Sequence, residues 1–263
     1  MAFCAPALVL QTYWIQHHSN NSYILPVFVF FATLLSYNLH FSLAARSNNT
    51  SIQLRWFQEN KHFTKILNGC AFFMICWTGL QLKGIYNWIV IPLLLNAAYT
   101  IPLLLKRNIK IPTLFSCSKS HFIGFTWAFV TVCLPLANVH AFDFREDGLL
   151  FLNRMMLVTM ATLIFDYRDK DFDRQNGLIT PANYLSEKSF DTLFLIHNIL
   201  YGLSSIGLAY RYNEPHLLNQ LICAGLLQIL YQRSKRETGA FYYLGLVDGI
   251  LLFSAILSGI LLF

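Results

Sequence analysis

Charge is scarce in this chain. Asp, Glu, Lys and Arg make up 12% of its 263 residues, against 56% hydrophobic. An ordinary soluble domain carries roughly a quarter charged residues, so there is too little charge here to cover a soluble surface. Apolar segments recur along the whole length, and no polar block of domain size separates them. The six cysteines, Cys4, Cys70, Cys76, Cys117, Cys133 and Cys223, form neither a C-x-x-C pair nor any zinc spacing. They read as small packing residues rather than metal ligands. No Lys or Arg precedes the apolar N-terminal stretch and no convincing cleavage site follows it, so it reads as a retained first helix and not a signal peptide. Internal repeats and low-complexity tracts are missing too. The net charge of +6 is spread over several loops, which excludes a nucleic-acid-binding surface.

What is present is a series of apolar stretches long enough, or nearly long enough, to cross a bilayer. The pattern predicts nine helices, at 2–15, 23–45, 66–82, 85–105, 122–139, 149–165, 192–209, 217–231 and 243–263. The expected fold is therefore all-α: a polytopic membrane protein, a bundle of nine transmembrane helices forming one domain over residues 1–263. Of 19 Lys and Arg, 15 fall in loops after the second, fourth, sixth and eighth helices, and Lys83, Arg145, Arg154 and Arg211 fall on the other side. Positive residues stay inside. This puts the N-terminus in the cytoplasm and the C-terminus across the membrane.

The sixth apolar run, LLFLNRMMLVTMATLIF, is followed by DYRDKDFDRQNGLIT. On a helix Asp166, Asp169 and Asp173 fall within about 60° of one another. Carboxylates crowded at the negative end of a helix dipole are costly unless a positive group joins them. A Mg²⁺ ion, which keeps water ligands and bridges to phosphate oxygens, fits that need. The bland alternative is a solvated segment in which the aspartates pair with Arg168, Lys170 and Arg174. The rest of the pattern is Gly177, Thr180 and a helix-breaking Pro181.

The pattern DxxDxxxDxxxGxxT resembles the second aspartate-rich motif of the UbiA superfamily of intramembrane prenyltransferases, where it follows the sixth of nine helices. YTIPLLLKR, from Tyr99 to Arg107, is similar to the family's Tyr-x-x-Pro segment ending in Lys-Arg after the fourth helix. The resemblance implies transfer of a prenyl group from a polyprenyl diphosphate to a lipophilic, often aromatic acceptor, with Mg²⁺ as cofactor. It implies that Asp166, Asp169 and Asp173 hold the metal and serve catalysis, that Lys106, Arg107 and Lys119 contact the phosphates, and that Tyr99 bonds the diphosphate or lines the site.

The chain departs from the family at the end of the second helix. The family motif there is NDxxDxxxD, and this chain reads YNLHFSLAARS: Asn38 matches, while Leu39, Ser42 and Arg46 fill the aspartate positions. A second ion held in the same way is not expected. Either Arg46, with Arg55 and His40, binds the diphosphate directly through guanidinium forks, or the fold persists as an isoprenoid-binding scaffold without the chemistry. A transporter is the remaining class, weakened by the lack of an inverted repeat. Asn68, Asn96, Arg154, His197, Asn198 and Asp248 lie inside apolar segments, where polar groups face a bundle interior or a wet cavity. Asp248 is the expected acceptor-orienting residue, with a helix-to-helix bond as its structural alternative. The segment from Ile52 to Ile66 is amphipathic enough to cap the cavity or lie on the headgroups.

Overall fold

In lipid the backbone has no water to bond to, so a long apolar segment must satisfy its own N–H and C=O groups as a helix. The computed structural model describes residues 1–16, 23–44, 52–104, 119–140, 142–175, 179–212, 215–237 and 239–262, and among them no strand occurs. We number the helices α1 Cys4–Ile15, α2 Ile24–Ala44, α3 Ile52–Glu59, α4 Lys61–Gly79, α5 Tyr86–Leu104, α6 Lys119–Val139, α7 Phe144–Gln175, α8 Pro181–Tyr184, α9 Glu187–Tyr212, α10 Pro215–Ser234 and α11 Tyr242–Leu261. Over the described residues each of the nine expected segments falls largely within a helix, with α3 and α8 as short additions. Among the described residues five helices are individually long and apolar enough to cross a bilayer, or six if α4 and α5, bent by 92°, form one broken span. The chain is an all-α, multi-pass membrane protein.

The helices run further into polar sequence than expected. α7 continues for 32 residues, so the aspartates stand on the helix itself and not in a loop after Phe165. Its polar end is held from below: Arg174 donates to the Asn183 carbonyl at 2.8 Å, and the Thr180 backbone N–H donates to the Asn183 side chain at 3.0 Å, which folds α8 back onto α7. Pro181 opens α8, where its missing N–H is not needed. Gly177 lies outside the described residues.

α1, α6, α7, α9, α10 and α11 touch in sequence around a ring, with α10 also reaching α7; α2 packs on α1 and α4, and α5 is more lightly attached to α2 and α6. One proline explains how α1 is pinned to α6. Pro135 has no N–H to give the carbonyl four residues back, and the helix widens into a π turn over Phe129–Cys133. The carbonyl of Thr131 instead accepts the Thr12 hydroxyl at 2.6 Å.

The ring's interior is polar at its seams. Gln11 donates to the Ser254 carbonyl at 3.0 Å and to Ser258 at 2.7 Å, and Asn219 donates to the same two groups at 2.8 and 2.6 Å. Asn153 donates to Ser204 at 2.9 Å and Ser205 at 3.0 Å. Asn198 bonds Ala224 and Gln228 across α9 and α10, so it is a packing residue. Such bonds in membrane bundles contribute about 0.6 kcal/mol each, up to about 1.7. Asn219→Ala, which loses both bonds to α11, is expected to destabilise the protein by about 1 to 2 kcal/mol, measured by unfolding in mixed detergent.

Arg154 lies inside an apolar helix, as expected: it is 2% exposed, within α7, with Nη1 lacking a partner among the described residues. Its nearest titratable neighbours are Tyr201 and Cys223, and neither is a carboxylate. The free cysteines Cys4, Cys133 and Cys223 are buried as expected, whereas Cys70 and Cys76 are exposed on α4.

Candidate functional site

Asp166 sits where the apolar part of α7 gives way to its polar end, and it is 4% exposed. Its carboxylate accepts a short hydrogen bond from the Ser120 hydroxyl and lies 3.4 Å from Lys119 Nζ. Both partners come from the first turn of α6. That turn is fixed by close packing of α6 on α7: Thr162 donates to the Ser120 carbonyl at 3.4 Å, and Gly124 leaves no side chain between the helices. Lys119 therefore neutralises part of the charge on Asp166 without closing it off, since its own side chain is about one-third exposed.

Asp173, two turns further on, is 5% exposed, and its Oδ2 has no hydrogen-bond partner among the described residues. A buried carboxylate oxygen without a donor is costly and calls for a positive group. Lys119, Asp166, Asp169 and Arg168 all lie within electrostatic range of it. His40, near the end of α2, is within range of Lys119 as well. Three elements, α2, α6 and α7, thus bring ionisable groups together around Lys119.

Asp169 behaves differently. Its carboxylate takes both Nε and Nη2 of Arg168, at 2.7 and 2.8 Å, and its side chain is 37% exposed. Arg168 in turn lies 5.0 Å from the centre of the Phe165 ring and 4.8 Å from that of Tyr243, so the pair is laid against α11. Asp169 is thus paired with Arg168 while remaining within electrostatic range of Asp166 and Asp173. Among the described residues no three His, Cys, Asp or Glu side chains come together as a metal cage. The two buried carboxylates still fit Mg²⁺, which binds through one or two carboxylates and completes its shell with water and substrate phosphates.

The other expected site residues are scattered. Asn38 donates to the Asn68 side chain at 2.9 Å, joining α2 to α4. Asn96 likewise ties α5 to Ser36 on α2. Asp248 is buried at the π-to-α junction of α11 with Oδ1 unpaired among the described residues, and its charged neighbours are the N-terminal amine and Arg168 rather than Lys119. His197 pairs with His121, Nε2 to Nε2 at 2.8 Å, and its Nδ1 meets the Leu193 carbonyl at 2.8 Å, so it holds α9 against α6. Arg46, Lys106 and Arg107 lie outside the described residues, as do the side chains of Arg55 and Tyr99. Ser120 was missed by sequence reasoning, and the one signal for it is its place next to Lys119 at the start of a helix.

No family model and no curated relative matches the chain. A solved structure of digeranylgeranylglyceryl phosphate synthase, described in membranes, is similar to it with a TM-score of 0.60 over 98% of this chain and 94% of that one, at 17% identity. The likeness is one of fold. It runs nearly end to end, so the helix order that brings α2, α6 and α7 together is shared with the synthase as a whole and not with a fragment of it.

Proposed function

We propose that the chain is a UbiA-like membrane prenyltransferase of one domain and nine membrane crossings, moving a prenyl group from a polyprenyl diphosphate to a lipophilic, aromatic acceptor. The observation that carries this reading is the meeting of buried Asp166 and Asp173 with Lys119 at the polar end of α7, in a fold similar to that of a synthase of a prenylated glyceryl phosphate. The excess of Lys and Arg in alternate loops supports a cytoplasmic position for that end.

Breaking an allylic C–O bond sends the electron pair to the departing diphosphate and leaves positive charge on the prenyl carbon. Groups that meet the diphosphate as its charge grows lower the barrier. Mg²⁺, when bound by Asp166 and Asp173, supplies the larger part of that neutralisation. Ser120 keeps the Asp166 carboxylate from turning away. Lys119, held 3.4 Å from Asp166, brings positive charge to the place where the leaving group's charge grows. The acceptor then bonds the prenyl carbon and gives up a proton.

A second reading is an isoprenoid-binding scaffold, favoured by Leu39 and Ser42 where the family carries aspartates. The test is a purified-membrane assay with several prenyl diphosphates and a lipid extract. The transferase reading expects release of diphosphate that stops on chelation and returns when Mg²⁺ is restored. Binding of a prenyl diphosphate without release would select the scaffold, and tracer flux across proteoliposomes would select a transporter.

A further inference from the structure

The end of α2 carries more than a missing motif. Ser42, in the position of a family aspartate, lines a cavity of about 500 Å³ with Gln58 of α3 and Lys61, Thr64, Lys65 and Asn68 of α4. Asn38, the one residue that keeps the family pattern, is bonded to Asn68 on the cavity wall. Ser42 therefore faces this space and Asn38 braces its wall, and among the described residues lining it are two lysines and no carboxylate.

The arrangement is built rather than incidental. Lys61 and Lys65 are one turn apart on α4 and so share a face. Neither is paired with a carboxylate among the described residues, and Glu59, the acid next to them in sequence, does not line the cavity. Ser42 and Asn68 add a hydroxyl and an amide, while the Thr64 hydroxyl donates to the Asn60 carbonyl at 3.0 Å. Phe57, stacked on Phe41 with centroids 5.5 Å apart and ring planes 23° from parallel, holds α3 over the opening. Next in sequence to the lining residues, Trp56 and Phe63 are 45% and 56% exposed, as aromatic residues are at a lipid–water boundary. Lysines without a carboxylate partner among the described residues, with a hydroxyl and an amide beside them, select an anion with several oxygens, and a phosphate group meets that description.

We propose that this cavity binds a phosphate group directly through Lys61 and Lys65, without a metal ion. The choice of a diphosphate as one occupant rests on the prenyltransferase reading; a phospholipid headgroup, the other source of the same chemistry, does not.

The full chain in phosphatidylcholine nanodiscs, with chelator present, would be titrated with inorganic pyrophosphate. Binding is expected in the wild type, weakened about tenfold or more in Lys61→Gln/Lys65→Gln and retained in Lys61→Arg/Lys65→Arg. Both lysines are exposed, so the arginine pair separates loss of charge from loss of fold. Repeating the titration in phosphatidylglycerol nanodiscs identifies the occupant. A headgroup site is weakened by phosphatidylglycerol in the wild type alone; a diphosphate site ignores the lipid, and the Gln pair raises the KM for prenyl diphosphate. No binding, binding that requires Mg²⁺, or binding indifferent to the Gln pair overturns the proposal. Binding that follows the lysines in a protein that turns over no prenyl diphosphate would sink the transferase reading and leave the cavity's assignment standing.

Discussion

Asp166→Asn is expected to lower Mg²⁺-dependent release of diphosphate by about 100-fold or more, with the protein still folded. The amide has the size of the carboxylate and can still accept from Ser120, so the α6–α7 contact survives while the negative charge does not. Asp173→Asn should follow it closely, because its free oxygen is the other open ligand. Asp169→Asn should cost less than about tenfold, since its carboxylate is already committed to Arg168 and an amide cannot hold a metal it was not holding before. Single-turnover rates for the three variants at saturating Mg²⁺ rank them. A wild-type rate for Asp166→Asn, or a larger loss for Asp169→Asn than for Asp166→Asn, would remove Asp166 from the mechanism.

Gly124→Ala is expected to damage the fold itself. A methyl group there would stand 2.9 Å from the Met155 carbonyl oxygen and against the Thr159 hydroxyl. Thr159 can rotate, but the backbone of Met155 cannot, so α6 and α7 must part. Overpacking of this kind costs about 1–3 kcal/mol, and here it also draws Lys119 and Ser120 off Asp166. Thermal unfolding in detergent should show a clear drop, with activity falling alongside. Gly225→Ala is the control: nothing lies within 4 Å of its added carbon, and replacing a mid-helix glycine with alanine gains about 0.5–1 kcal/mol. Equal midpoints for the two variants would show that α6 and α7 do not depend on this close approach.

The helices were legible because hydropathy marks any segment that lipid cannot leave extended. Their ends were not, because a helix may run on into charged sequence whenever something caps it, as Arg174 and Asn183 do for α7. The spacing of Asp166 and Asp173 carried real information: both are buried on one flank of α7. Asp169 shares the spacing but is paired with Arg168, which offers a bidentate partner and lies against two aromatic rings. Periodicity gives the direction of a Cα–Cβ bond, and a side-chain tip one or two bonds further out answers to its neighbours. Arg154 was legible as a polar residue inside an apolar run, but hydropathy alone does not say which neighbouring helices its buried face meets.

That arginine bears on how the protein comes to be. A guanidinium near the middle of an inserting helix costs about 2.5–3.5 kcal/mol, and one that is 2% exposed inside α7 cannot stretch to the headgroups for relief. With no acidic group beside it, only the later segments α9 and α10, which bring Tyr201 and Cys223, lend it company. α7 is thus a poor independent passenger in the membrane, and its stable residence depends on segments synthesised after it.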